Sequence, residues 1–105
     1  LKDELKAKSG GLFDKVYVEA KSTDFTAAVG FTYLINTGTA VEVTLPAVSV
    51  NAAIVFKDST GTAATNAITI NRAGTATIDG ATSQTIGSNF GSLKLICDGT
   101  NWFIT

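Results

Sequence analysis

The side chains that could act as a general base in this chain are those of Lys, Asp and Glu, and the carboxylates C-terminal to residue 25 are Glu42, Asp58, Asp79 and Asp98. A glycoside hydrolase needs two such groups across one cleft. Three of the four stand in turn sequences, Asp-Ser-Thr-Gly or Asp-Gly, where Asp is favoured because its side chain bonds nearby backbone N–H groups. The chain also contains no His, which is the usual general base near neutral pH. We therefore expect no enzyme and no catalytic residue, unless neighbouring chains pool carboxylates at an interface.

The best set of binding groups lies where Asp98 and Asn101 flank a turn beside Trp102. This combination is a candidate glycan contact, with the Trp102 ring as a stacking platform, although the same turn reads as an ordinary hairpin. It lacks the spaced acidic series of an EF-hand calcium loop. The single cysteine, Cys97, cannot form a CxxC metal site and is typical of a buried packing residue. We expect no metal and no cofactor.

The charges are unevenly distributed. The chain has 105 residues, a net charge of -1 and only 16% charged residues, against about 25% in a typical soluble domain. Ten charged residues lie within positions 1–25 and seven in all the rest. Nucleic-acid and anionic-membrane surfaces need clustered Lys and Arg, so we expect neither nucleic-acid binding nor membrane insertion. A body so poor in charge is either a neutral monomer or, as we favour, an oligomer, because charges are depleted at interface cores.

The first residues differ from the rest of the chain. Residues 1–8 are good helix formers, and Leu1, Leu5 and Leu12 have the 4-then-7 spacing of a coiled coil. Ser9-Gly10-Gly11 would end such a helix. The segment is therefore either a frayed terminus or the end of a helical stalk. Because the chain opens on Leu1 and contains no Met, we expect a fragment, a processed chain or an engineered one.

The residues after Leu12 favour strands. Thr, Val, Ile and Phe replace the helix formers, and polar and apolar residues alternate as in half-buried strands. Gly, Asn, Asp and Pro separate the alternating runs. We predict strands at 13–20, 31–36, 41–45, 53–57, 67–72, 76–78, 84–86, 92–97 and 102–105. Short strands at such spacing indicate an all-β sandwich or barrel.

Six short motifs in fixed order carry a resemblance that runs from about Tyr33 to Thr105. They are Val43-Thr44-Leu45-Pro46, Ile54-Val55-Phe56-Lys57-Asp58, Asn66-Ala67-Ile68-Thr69-Ile70, Thr77-Ile78-Asp79-Gly80, Asn89-Phe90-Gly91-Ser92-Leu93-Lys94-Leu95 and Cys97-Asp98-Gly99-Thr100-Asn101-Trp102-Phe103-Ile104. Together they resemble the C-terminal β module of bacteriophage tail fibres and other virion appendages. The resemblance implies a non-enzymatic homotrimer located in the virion, often placed after a short coiled coil.

The sequence thus predicts an all-β, antiparallel β-sandwich or jelly-roll-like domain with a short N-terminal helical stub. Residues 1–25 would be stub and connector, and 26–105 the fibre domain. We expect a trimeric structural part of a tail fibre, head fibre or spike that contacts other virion proteins through upstream chain and contributes to host attachment. The alternatives are a carbohydrate-binding receptor module and a capsid decoration protein. The residues expected in the core or trimer interface are Val41, Val43, Leu45, Ile54, Phe56, Ile68, Ile70, Ile78, Leu93, Leu95, Trp102 and Ile104.

Overall fold

Nine β-strands in two sheets form the part of the chain that the computed structural model describes, residues 17–105. The expected helix at residues 1–8 and the start of the first expected strand lie outside these residues. The strands are β1 Tyr17–Lys21, β2 Phe25–Thr26, β3 Phe31–Ile35, β4 Val41–Thr44, β5 Val50–Asp58, β6 Ile68–Asn71, β7 Ser83–Ile86, β8 Ser92–Asp98 and β9 Trp102–Ile104. Within residues 17–105 no segment is helical, and none could span a bilayer as a helix.

The strands alternate between the two sheets as the chain advances. Sheet A has the order β1-β3-β5-β8-β9, and sheet B has the order β2-β4-β6-β7. From β1 to β6 each strand lies in the opposite sheet from the one before it, so neighbours within a sheet run parallel. The three remaining pairs, β6–β7, β5–β8 and β8–β9, are antiparallel.

The expectation of an antiparallel sandwich or jelly roll is therefore wrong about strand direction, although the all-β class is confirmed. Alternation in a sequence shows which face of a strand is buried, and it carries no information about the direction of its neighbour. The chain crosses from one sheet to the other and back before it pairs again, and this path makes the neighbours parallel. Both β1 and β2 belong to the sheets, which therefore begin before residue 26.

The inner faces of both sheets enclose one apolar core. Strand β5 illustrates the alternation: Ala52, Ile54 and Phe56 are buried, and the residues between them are only partly covered. The Phe56 ring stacks on Tyr33 of the neighbouring strand, with centroids 5.8 Å apart and planes at 15°. Trp102 of β9 is fully buried as well. Because side chains alternate between the two faces of a strand, the residues between the core positions lie on the outer faces of the sheets.

Most strands predicted from alternation are confirmed within one to three residues at each end. The exceptions are β2, which is too short to show a period, and the strand expected at 76–78. There Ile78 makes only single bridges, to Ala81 and to Trp102. The predicted hairpin turn after Asp98 is confirmed, since β8 and β9 pair in antiparallel fashion around it.

Candidate functional site

The outer face of sheet A is apolar over most of its width. Its apolar side chains alternate with the core residues of β1, β3, β5, β8 and β9. We call this surface the A face, and its apolar members are Val18, Ala20, Leu34, Ala53, Val55, Ile96 and Phe103. Such a surface is unusual on a monomer, where large contiguous apolar patches mark interaction sites.

Strand register places these side chains next to one another. One row across the sheet runs from Val18 through Thr32 and Val55 to Lys94. Leu34 lies beside Lys57 in an adjoining row. Directly paired residues on one face have Cβ atoms within about 5 Å, so Thr32 lies between Val18 and Val55, and Lys94 ends that row.

A further row completes the A face towards the β8–β9 hairpin. It joins Ala53 to Ile96 and then to Phe103. Ile96 is 43% exposed and Phe103 40% exposed, so residues 17–105 leave these two large apolar side chains only partly covered.

The outer face of sheet B has the opposite character. We call it the B face, and its members are Thr26, Glu42, Thr44, Thr69, Asn71, Ser83 and Thr85. Hydrogen bonds join several of its residues: the Asn71 side-chain amide donates to the Glu42 carboxylate at 2.9 Å, and the Glu42 backbone amide donates to the Asp24 carboxylate at 2.9 Å. No apolar side chain interrupts this set, so the B face suits water and the A face does not.

Three charged residues lie on the A face. Lys57 pairs with Ser92 near the end of β5, and Lys94 pairs with Val55 in the row that also holds Val18 and Thr32. Asp98 pairs with Val50, where β5 begins. The A face therefore carries two lysines and one aspartate among its apolar side chains.

Asp58 is buried at the end of β5 and organises three loops. One carboxylate oxygen accepts hydrogen bonds from the Thr37 hydroxyl at 2.8 Å and the Gly61 amide at 2.9 Å. The other accepts from the amides of Ala63 at 3.0 Å and Phe90 at 2.9 Å. Burial by itself raises the pKa of this carboxyl, but these hydrogen bonds together hold it well below its usual range. The group is thus a saturated structural acceptor with no capacity left for a substrate proton.

The groups proposed for a glycan are used inside the fold. Asp98 accepts from the amides of Thr100 and Asn101 at 2.8 and 2.9 Å, and these bonds lower the pKa of the Asp98 carboxyl, the Asn101 amide more than that of Thr100. The Asn101 side chain accepts from the Thr77 amide at 2.9 Å. Trp102 has no exposed surface, so its ring cannot stack on a sugar. Asp98, Asn101 and Trp102 therefore form a hairpin and not a glycan platform.

The remaining candidates for chemistry are also placed by the fold. Asp79 accepts from the Ile104 amide at 3.2 Å, and Glu42 lies on the B face. Cys97 is buried, as expected for a packing residue. Among residues 17–105 no group of three or more His, Cys, Asp or Glu side chains is placed to hold a metal ion.

The residues expected in core or interface separate into two groups. The first group is buried in the core of the single chain. The second group is Leu93, which is half-buried against this core, and Ile104, which is 38% exposed. The buried members are Val41, Val43, Leu45, Ile54, Phe56, Ile68, Ile70, Ile78, Leu95 and Trp102.

The sequence analysis did not find the A face, because it assigned one buried face to each strand and left the residues of the other face unassigned. The signal that could have found it is that Ala53-Ile54-Val55-Phe56 and Leu93 to Cys97 have apolar residues at nearly every position. A strand that is apolar on both faces is typical of a sheet covered on both sides.

Comparison with known proteins finds a family model that matches this chain. A family model described as "Bacteriophage T4 gp9/10-like protein, N-terminal" matches residues 3–101. No curated protein matches the chain. Because the family model describes an N-terminal region, it does not support the C-terminal position that the sequence motifs suggested.

Proposed function

Because the chain belongs to the bacteriophage T4 gp9/10-like N-terminal family, and is thus a structural component of the virion, we propose that it works as a homotrimeric assembly module of a phage appendage. The appendage would be a tail fibre, head fibre or spike. The observation that supports this is the contrast between the apolar A face and the polar B face. One side of the body is built to be covered by protein and the other to face water.

The proposed role is mechanical and non-enzymatic. The carboxylates that could do chemistry have structural partners: Asp58 accepts hydrogen bonds from donors in three loops, and Asp79 and Asp98 accept from backbone amides. With the A face covered by other copies, the B face and the strand ends would stay available for contact with other virion proteins. Host attachment, if this chain contributes to it, must use a surface other than the hairpin that buries Trp102.

The native mass tests the proposal directly. We expect light scattering on the purified full chain to give about three times the chain mass of 10.8 kDa at micromolar concentration. The physical reason is that an apolar sheet face left in water costs about 25 cal/mol per Å2, which association recovers. A single-chain particle that melts cooperatively at the same concentration would contradict the proposal.

A further inference from the structure

We infer that the exposed ring of Phe90, at the end of the molecule where β5 ends and β8 begins, is a stacking platform for an uncharged pyranose sugar of a bacterial surface polysaccharide. The proposed function concerns assembly alone. A sugar site at Phe90 adds a surface for host attachment that the hairpin of Trp102 does not offer, and it does not depend on how the copies associate.

The backbone of Phe90 is in an unfavourable conformation. Its φ is 59°, in the left-handed region that a bulky residue enters only at a cost in free energy. The other non-glycine residues with positive φ within residues 17–105 are Asn51 and Asp79, whose side chains tolerate this region. The turn by itself therefore does not account for a phenylalanine, and residues strained in this way concentrate at binding sites.

Burial of the ring does not offset this strain. Phe90 is 57% exposed, more than any other phenylalanine within residues 17–105. An apolar side chain that stays in water contributes little of the free energy that burial would supply. The Phe90 ring is thus available to a ligand, and the core of the chain does not use it.

Three contacts hold Phe90 in place. Its amide donates to the Asp58 carboxylate at 2.9 Å, and its carbonyl accepts from the Lys57 ammonium. One side of the ring lies against the backbone of Gly61, where a methyl group would be 2.4 Å from Cε2 and 2.5 Å from Cζ of the ring. Only glycine allows this approach, so residue 61 is part of the platform.

The buried carboxylate of Asp58 fixes the ring and Gly61 relative to each other. One of its oxygens accepts from the Gly61 amide at 2.9 Å, and the other accepts from the Phe90 amide at 2.9 Å. A ring that is already held in position loses little freedom when a ligand binds, and this favours affinity. Asp58 therefore acts as a positioning residue for the platform.

The neighbouring loops favour a sugar over a protein partner. Residues 59–66 and 87–89 are all Ser, Thr, Asn, Gly or Ala. In a protein interface the residues with the largest contributions cluster and are surrounded by contacts that exclude water, whereas these loops place no second large apolar side chain beside the ring. They also carry no charge, which suits an uncharged ligand.

A pyranose offers the two kinds of group that this surface can bind. The face of an aromatic ring is electron-rich, so it attracts the polarised C–H groups on one side of a sugar. The sugar hydroxyls can bond to amide and hydroxyl groups. Asn89 supplies such a group next to Phe90: its carboxamide oxygen accepts from the Ala64 amide at 2.9 Å, and the residue is exposed.

The first test measures binding of the purified full chain to an array of bacterial surface polysaccharides built from uncharged pyranoses. We expect the wild type to bind at least one of them. Phe90→Leu keeps an apolar side chain without an aromatic ring and should bind roughly tenfold more weakly. Phe90→Tyr keeps the ring and should retain binding. Tyr17→Leu is the matched control, because it removes an exposed ring from strand β1 and should bind like the wild type.

The second test separates a binding role from a structural one. Phe90→Gly removes the ring and also relieves the backbone, since glycine adopts positive φ without strain. We expect this variant to lose polysaccharide binding and to unfold at the same urea concentration as the wild type or at a higher one. Its native mass should equal that of the wild type, because Phe90 is not part of the A face.

Three results would overturn the sugar site. They are a wild-type chain that binds none of the polysaccharides, a Phe90→Leu variant that binds as tightly as the wild type, and a Phe90→Gly variant that unfolds at a clearly lower urea concentration. In the first case the ring would be a contact for another virion protein, and in the third it would be a structural part of its loop. The proposed assembly is decided separately, by the native mass of the wild type.

Discussion

At the scale of single residues, Asp58 accepts hydrogen bonds on its carboxylate from five residues, Thr37, Thr60, Gly61, Ala63 and Phe90. Its carboxylate connects the end of β5 to the loops that hold Thr37, Ala63 and Phe90. Phe90 has a left-handed backbone, with φ of 59°, a conformation that costs a bulky residue free energy. The hydrogen bond from its amide to Asp58 holds it there, so the acid stabilises a loop that would otherwise relax.

Asp58→Asn should destabilise the fold by about 3 kcal/mol at neutral pH, because hydrogen bonds to a charged acceptor contribute about 1.5–3 kcal/mol and an amide group cannot accept from all the same donors. Urea unfolding measures this loss. Asp98→Asn is the matched control, since its carboxylate is exposed and its turn bonds are fewer. An Asp58→Asn variant as stable as the wild type would show that the buried bonds contribute nothing net.

The same residue predicts a pH dependence. The pKa of Asp58 is lower in the folded chain than the ordinary aspartate value of about 3.9. The stability it provides is therefore complete above that ordinary value and decreases as the pH falls below it towards the folded pKa. Unfolding free energies measured from neutral to acid pH should fall for the wild type and for Asp98→Asn, and much less for Asp58→Asn. A wild-type profile that stays flat down to about pH 2 would contradict this.

The sequence showed that Asp58 belongs to a turn, and it did not show that the turn is buried. The motif Asp-Ser-Thr-Gly accounts for the bonds to Thr60 and Gly61, which are local. The bonds from Thr37 and Phe90 come from more than 20 residues away in the chain. Contacts of that range depend on which strands are neighbours, and periodicity does not contain that information.

At the scale of elements, β5 joins two kinds of pairing in sheet A. It runs parallel to β3 on one side and antiparallel to β8 on the other. The first four residues of β5 include a register shift against β8 between Val50 and Ala52. Asn51 at this bulge has φ of 62°, a left-handed conformation that Asn tolerates better than most residues. The bulge lets β5 begin beside Asp98 and still place Ala52, Ile54 and Phe56 in the core.

Substitutions at Asn51 should separate backbone strain from loss of side-chain contacts. A β-branched residue is disfavoured at positive φ, so Asn51→Val should cost about 1–2 kcal/mol. Asn51→Gly accepts the same backbone and should stay within about 0.5 kcal/mol of the wild type. Denaturant midpoints measure both. Equal losses in the two variants would mean that the Asn side chain, and not the bulge, stabilises this strand.

Element positions were predictable from the sequence and strand directions were not. Val41, Val43 and Leu45 alternate with polar residues, and all three are buried, as that pattern requires. The two-residue strand β2 has no room for a period, and it forms only because Phe25 and Thr26 pair with β4. The A face escaped notice for a related reason: the residues between buried positions in β5 and β8 are apolar too, and alternation alone assigns just one face.

At the scale of the whole molecule, each sheet buries only its inner face within the single chain. We therefore expect association, which would cover a further face, to be coupled to folding. The core is a single layer between the sheets, and the A face adds apolar surface that another copy would cover. If the folded state is the trimer, mass action stabilises it as chain concentration rises.

Each tenfold rise in concentration should then raise the melting temperature by about 4 °C, given an unfolding entropy of about 2.1 cal/mol/K per residue. Differential scanning calorimetry over roughly a hundredfold range of concentration measures this slope. Ile96→Glu should melt at a temperature that does not depend on concentration, and Thr85→Glu should keep the wild-type slope. A wild-type melting temperature that is constant over the same range would mean that each chain folds alone and that association, if it occurs, adds nothing to its stability.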